Sequence, residues 1–194
     1  MSKETRERVP RIAVGITGSS GSVYALDFLK RYPHDKFVVM SKWGKAVMKD
    51  ELKMSDPSKE IKPFIKKEFA DTDMTSPLAS GTTNLDALVI IPASTSTIGK
   101  IASGIGDTLI TRAAAVCLKE RYKLIICVRE TPLSTVTLEQ LARLSRDGAI
   151  IMPISPPLYF VPETVEEYVQ GYVNKVLQQC GVNVGKGWRS EELE

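Results

Sequence analysis

Four short segments hold the residues whose types and spacing could do chemistry. The first is Gly15-Ile16-Thr17-Gly18-Ser19-Ser20-Gly21-Ser22. Its glycines let the backbone turn tightly and approach a ligand, and the N–H groups of a following helix can receive an anion. Hydroxyls at Thr17, Ser19, Ser20 and Ser22 add donors for phosphate oxygens. The segment is neither G-x-G-x-x-G nor a Walker loop, so alone it is a weak signal. The second segment, Pro92-Ala93-Ser94-Thr95-Ser96-Thr97, sets four hydroxyl residues in a row. One hydroxyl caps a helix, and four read as a polar rim around a ligand. The third, Arg129-Glu130-Thr131-Pro132-Leu133, has two readings. It is either a self-neutralising ion pair, worth little if exposed, or an arginine for phosphate beside a carboxylate for proton transfer. The fourth runs from Pro153 to Pro162, where prolines stiffen a loop that can aim Tyr159.

The elements that must position these segments alternate between two periodicities. Five apolar runs read as strands covered on both faces: Ile12–Ile16, Phe37–Met40, Leu85–Ile91, Leu124–Val128 and Ala149–Ile154. Between them, Val23, Leu26 and Leu29 share a helix face. Ile98 to Leu118 reads as one long helix or a broken pair, with Gly104 and Gly106 marking a bend. Leu138, Leu141 and Leu144 follow a Thr137-x-x-Gln140 capping box, and Gly148 ends that helix. Thr164-x-x-Glu167 opens the last helix, which carries Val165, Tyr168, Tyr172, Val176 and Leu177 inward and stops before Gly181. The lysine-rich stretch Lys42 to Lys67 reads as a solvated helix pair. The expected fold is α/β, a three-layer doubly wound parallel sheet, in which ligands bind at the carboxyl ends of the strands. All four chemical segments follow a strand. A dinucleotide site also wants an acid about 20 residues beyond the glycine loop. The second strand ends in Ser41 instead, so a mononucleotide fits better.

Composition narrows the classes. The 194 residues fit one domain, with arms expected at about 1–10 and 185–194. Hydrophobic residues at 43% and charged residues at 25% are ordinary globular values and exclude wholesale disorder. A net charge of +3 is too slight to argue for nucleic acid, and no apolar run approaches a membrane span. The charged start MSKETRERVPR lacks the apolar stretch of a signal peptide, so a cytoplasmic protein is expected. Cys117, Cys127 and Cys180 form no C-x-x-C pair and read as small hydrophobes. The single histidine, His34, lies in a turn-like stretch and leaves a catalytic triad or a histidine metal site without support.

Taken together, GITGSSGSVYAL, SPLASGTTNLDALVIIPAS, GDTLITRAAAVCLKERYKLIICVRETPL, GAIIMPISPPLYFVPETVEEYV and NKVLQQCGV resemble the flavin prenyltransferases (UbiX-type), in the wider group of flavin-containing cysteine-decarboxylase-like proteins. The resemblance spans roughly Arg11 to Val182. It implies a Rossmann-like or flavodoxin-like subunit that binds FMN and assembles into a homo-oligomer, often a dodecamer. It implies transfer of a dimethylallyl group from dimethylallyl phosphate (or the diphosphate) to N5 and C6 of reduced FMN, with no metal. The prenylated FMN then passes to a UbiD-type decarboxylase. Position by position, Gly18, Ser19, Ser20, Ser41, Ser94, Thr95, Ser96, Thr97 and Arg129 match flavin contacts. Arg112, Lys119, Arg129, Tyr159 and Lys175 match prenyl-phosphate binders, with Arg112 and Lys119 reaching a neighbouring subunit's site. Glu130 matches the acid/base glutamate, and Ser20 stands beside it as a catalytic candidate. Trp188 matches a family tryptophan loosely, and Glu51 reads as plain helix surface.

The chain departs from that pattern at one place. The family's Met-Lys pair is here Thr95-Ser96, which removes a cation beside the flavin. The same stretch leans toward the sister FMN-dependent cysteine-type decarboxylases, which pair an asparagine with an active-site histidine. Ser96 stands at the asparagine position here. A non-catalytic FMN-binding subunit is the remaining alternative, and it predicts a broken acid/base or phosphate set. A short-chain dehydrogenase wants Tyr-x-x-x-Lys, which Tyr172-Val173-Asn174-Lys175 does not supply.

Overall fold

The computed structural model describes residues 10–184, so the expected arms (Pro10 apart) and Trp188 lie outside the described residues. Its strands are β1 (Ile12–Ile16), β2 (Lys36–Met40), β3 (Lys67–Ala70), β4 (Ala87–Ala93), β5 (Lys123–Val128) and β6 (Ile150–Pro153). They form one parallel sheet in the order β3-β2-β1-β4-β5-β6. The helices are α1 (Ser22–Arg31), α2 (Lys42–Leu52), α3 (Pro57–Ile61), α4 (Thr95–Ala102), α5 (Leu109–Glu120), α6 (Thr135–Arg146) and α7 (Val165–Gln179).

Strand alternation sorts the apolar residues into two cores. Ile12, Val14 and Ile16 pack with Phe28 and Leu29 of α1, Met48 of α2 and Val173 and Val176 of α7. Ala13, Leu88 and Ile90 face the other way, onto Ile98 of α4, Ile110 and Ala114 of α5 and Leu141 and Leu144 of α6. Each fully buried Phe or Leu contributes about 1.5–3 kcal/mol. The three-layer doubly wound arrangement is thus as expected, and helices on both faces explain why the central strands are continuously apolar. Among the described residues no helix is long and apolar enough to cross a membrane.

Several local expectations need correction. The solvated helix pair of 42–67 holds α2 and α3, but the chain then turns through Lys62–Phe64 into β3. That sixth strand is an edge strand of which only Phe69 is buried, so it lacks the apolar run that marks the others. The helix after β5 starts at the Ser134 cap, with Thr137 inside its first turn, and Leu138 faces solvent. Thr164 caps α7 as expected, yet Val165 is exposed because its first turn projects beyond the sheet's core. The stretch from Ile98 to Leu118 is the broken pair, α4 and α5, with Gly104 in a left-handed conformation at φ +74°.

The junction between β1 and α2 is a close backbone contact beside the crevice. Ser41 N donates to Ile16 O at 3.0 Å, and a Cβ at Gly44 would lie 2.3 Å from that same carbonyl oxygen. Gly44→Ala must push α2 away from β1, and strain of this kind costs about 1–3 kcal/mol. Urea unfolding should show a correspondingly lower midpoint at unchanged slope.

Candidate functional site

The order of strands reverses its direction of winding between β1 and β4, and a crevice opens there at the carboxyl edge. Thr17 joins its two sides. Its hydroxyl donates to Pro92 O at 2.8 Å and accepts from Ser94 N at 2.7 Å. A cavity of about 300 Å³ lies beside this stitch, lined by Gly18, Ser41, Trp43, Asp71, Ser94, Ser96, Thr97, Lys100, Thr108 and their neighbours.

Three helices begin at that cavity. Ser41 caps α2 by accepting from Gly44 N, Ser94 caps α4 by accepting from Thr97 N, and Thr108 caps α5 by accepting from Thr111 N. Each helix carries a partial positive charge at this end, and its first N–H groups have no acceptor within the helix. The starts of α2 and α4 favour an anion, whereas Leu109 N and Ile110 N of α5 already donate to Asp71. Gly18 fits because a side chain there would collide with Trp43, its Cβ lying 2.5 Å from the Trp43 Cβ. Trp43 itself leaves 68% of its surface in water at the cavity mouth, with Lys42 Nζ 5.5 Å from its ring centroid.

The fourth helix start, that of α1, is already filled. Glu51, from the end of α2, accepts from Gly21 N at 3.0 Å and from Ser22 N at 2.8 Å. Partial burial pushes this carboxyl up. Hydrogen bonds from the Ser20 hydroxyl, the Ser22 N–H and hydroxyl and the Gly21 N–H outweigh that and hold it below its ordinary 4.5. The glycine loop therefore shapes the crevice without offering the α1 N-terminus to a ligand, and Glu51 is a structural cap rather than plain surface. The loop's hydroxyls are engaged too, since Ser19 Oγ donates to Arg129 O at 2.5 Å.

That contact places the loop after β5 against the glycine loop. Arg129 and Glu130 are both exposed, and Glu130 accepts from Thr131 N at 3.0 Å rather than pairing with its neighbour. The Tyr24 hydroxyl is pushed up by burial and by Tyr168, with the Arg129 charge acting in the opposite direction. Tyr24 also meets Tyr172 edge to face at 5.4 Å.

Tyr159 and Lys175 come together in a separate groove of about 550 Å³ between the loop after β6 and α7. Phe160 seats that loop, since a Cβ at Gly171 would fall 2.0 Å from its ring. Arg112 and Lys119 line neither the groove nor the cavity. On the outer side of α5, Arg112 Nε donates to Ala79 O at 3.0 Å and Lys119 pairs with Glu120. Of the expected flavin contacts, Gly18, Ser41, Ser94, Ser96 and Thr97 line the cavity, and Ser19, Ser20, Thr95 and Arg129 do not. Burial pushes the thiols of Cys117, Cys127 and Cys180 up to about 12, which leaves them protonated. Sequence reasoning missed Trp43, Asp71, Lys100 and Thr108 as lining residues. A tryptophan two residues after the serine that follows a strand was an available signal for the first, and the i,i+4 spacing from Ser96 for Lys100.

Comparison with known proteins places this geometry. The family described as Flavoprotein matches residues 1–177. The flavin prenyltransferase UbiX of Thermoplasma acidophilum is 45% identical over 174 residues, covering 89% of this chain and 95% of that protein. Among solved structures, AnUbiX in complex with FMN and dimethylallyl pyrophosphate superposes with a TM-score of 0.87 at 32% identity, covering 94% of this chain and 100% of that one. A dodecameric FMN-dependent UbiX-like decarboxylase from Escherichia coli O157:H7 gives 0.86 at 33% identity, covering 92% and 99%.

Replacing Glu51 by glutamine removes a charged cap, which costs about 0.5–2 kcal/mol near neutral pH. The folded carboxyl sits below its unfolded value, so its stabilisation is complete above about 4.5 and is lost as pH falls through the lower folded value. Urea unfolding of Glu51→Gln should therefore differ from wild type at neutrality and converge with it in acid.

Proposed function

Because the chain belongs to the flavoprotein family and, within it, to the flavin prenyltransferases, we propose how its residues divide the work of that reaction. The protein is a prenyltransferase that binds FMN and moves a dimethylallyl group from dimethylallyl phosphate, or the diphosphate, to N5 and C6 of the reduced flavin. It assembles as a homo-oligomer, as the dodecameric E. coli protein does, and its product serves a UbiD-type decarboxylase. The chain is one FMN-binding domain, and its unpaired cysteines fit a cytoplasmic setting.

The observation that carries the flavin site is the meeting of three capped helix N-termini at one polar cavity. FMN supplies a planar ring, a polyhydroxyl chain and a phosphate, and the residues present fit each part. Ser41, Ser94, Ser96 and Thr97 offer hydroxyls, with Thr95 beside them. The helix ends favour the phosphate, Gly18 admits a close approach, and Trp43 offers a face for a flat ring. Ser19 and Ser20 hold the glycine loop in shape, Ser19 through Arg129 and Ser20 through Glu51.

The groove supplies the other half. Tyr159 and Lys175 direct a phenol and an ammonium at the leaving phosphate, where negative charge grows as the C–O bond breaks. Arg129 follows β5 and meets the glycine loop through Ser19, and Glu130 takes the proton that the ring must lose when the second bond forms. Arg112 and Lys119, turned outward on α5, serve a neighbouring subunit's site. The decarboxylase alternative has no histidine to use. His34 lies between α1 and β2, at the amino edge of the sheet and away from the cavity.

The test is anaerobic. Protein, reduced FMN and dimethylallyl phosphate should yield a flavin heavier by one dimethylallyl-derived unit in the mass spectrum, and unmodified FMN with both the phosphate and the diphosphate would overturn the assignment. Glu130→Gln should still bind FMN while single-turnover rates fall about 10²- to 10⁴-fold, the usual range for a general acid/base group. Lys175→Ala should raise the KM for the prenyl donor about tenfold or more, one charge-assisted hydrogen bond's worth, with FMN affinity unchanged. Equal loss of both ligands would remove Lys175 from the donor site.

A further inference from the structure

The cavity's charges are few, and they are not equivalent. Among its lining residues only Lys42, Asp71 and Lys100 carry charge. Lys42 is exposed and lies over the Trp43 ring. Asp71 is turned to α5, where its Oδ1 accepts from Ile110 N at 3.1 Å and its carbonyl from Leu109 N at 2.7 Å. Lys100 is different. It stands one helical turn after Ser96 on α4, so both occupy one face of that helix, and its Nζ donates to Asp107 Oδ2 at 2.7 Å.

This ion pair has little to do for stability. Its side chains are 40% and 52% exposed, and pairs that open to water contribute little. Asp107 sits in the turn joining α4 to α5, just before the Thr108 cap. It thus holds a flexible lysine at the edge of the same cavity on which three helix N-termini converge. A cation at the last turn of α4 is also what the helix dipole favours, but that accounts for the charge and not for its place in the lining.

We propose that Lys100 is the residue by which this protein selects a phosphorylated flavin. Its ammonium answers the phosphate monoester, which carries about −1.5 to −2 charge at neutral pH. The proposal rests on the flavin site assigned above and identifies what that site reads.

FMN and riboflavin differ only in the phosphate, so their dissociation constants isolate the effect without any turnover. In the full-length protein, Lys100→Met should weaken FMN about 10- to 100-fold, the size of one charge-assisted hydrogen bond, and leave riboflavin within about twofold. Lys100→Arg should keep the preference. Riboflavin binding reports in the same titration that the variant is folded. FMN and riboflavin weakening together, or neither changing, would overturn the proposal. So would a raised KM for dimethylallyl phosphate at unchanged FMN affinity, which would assign Lys100 to the other phosphate. A wild type that prefers FMN yet forms no prenylated product would count against the prenyl-transfer reading alone.

Discussion

The side chain of Thr17 is 2% exposed and joins β1 to β4 where the sheet changes its direction of winding. At that boundary successive crossovers leave to opposite sides, so a crevice opens beyond the strand ends, past the backbone bond from Thr17 N to Pro92 O at 3.2 Å. Two short hydrogen bonds through one hydroxyl hold it at a fixed width. The donor of that hydroxyl goes to Pro92 O and its lone pair to Ser94 N. The glycine loop and the start of α4 therefore move as one piece, and everything that lines the cavity is measured from this contact.

A second constraint is electrostatic. Four helices begin on the carboxyl edge near the crevice, and each brings partial positive charge. One of them, α1, is neutralised internally by Glu51. Two others, α2 and α4, remain directed at the cavity, capped by the neutral hydroxyls of Ser41 and Ser94, while α5 starts at the Thr108 cap but gives Ile110 N to the Asp71 carboxylate. Carboxylates at the starts of α1 and α5, and neutral caps on α2 and α4, concentrate the positive field at the α2 and α4 ends. The side toward Arg129 and the Tyr159–Lys175 groove relies on side-chain cations instead.

How much of this was legible depended on whether the information was local. Strand runs, the glycine loop and the four hydroxyls from Ser94 to Thr97 announce themselves because their periodicity and residue types follow from backbone geometry. The edge strand Lys67–Ala70 did not, since one buried residue in four makes no pattern. Glu51 was misjudged for a related reason. A single glutamate on a charged helix carries no mark of its use, and its partners lie 29 and 30 residues away in the chain. Trp43 and Lys100 become cavity residues only when α2 and α4 are brought beside the same opening.

The sequence by itself determined the three-layer parallel sheet, the nature of the loops that follow its strands, and the family to which the chain belongs. These rest on contiguous segments, each short enough for its residue types to dictate its conformation. Tertiary structure decided which side chains meet. It assigned the α1 N-terminus to Glu51, brought Tyr159 and Lys175 into one groove, and left Arg112 and Lys119 on an outer face. The physical reason is that packing two cores against opposite faces of the sheet sets the helix positions, and no local rule of propensity or spacing carries that distance.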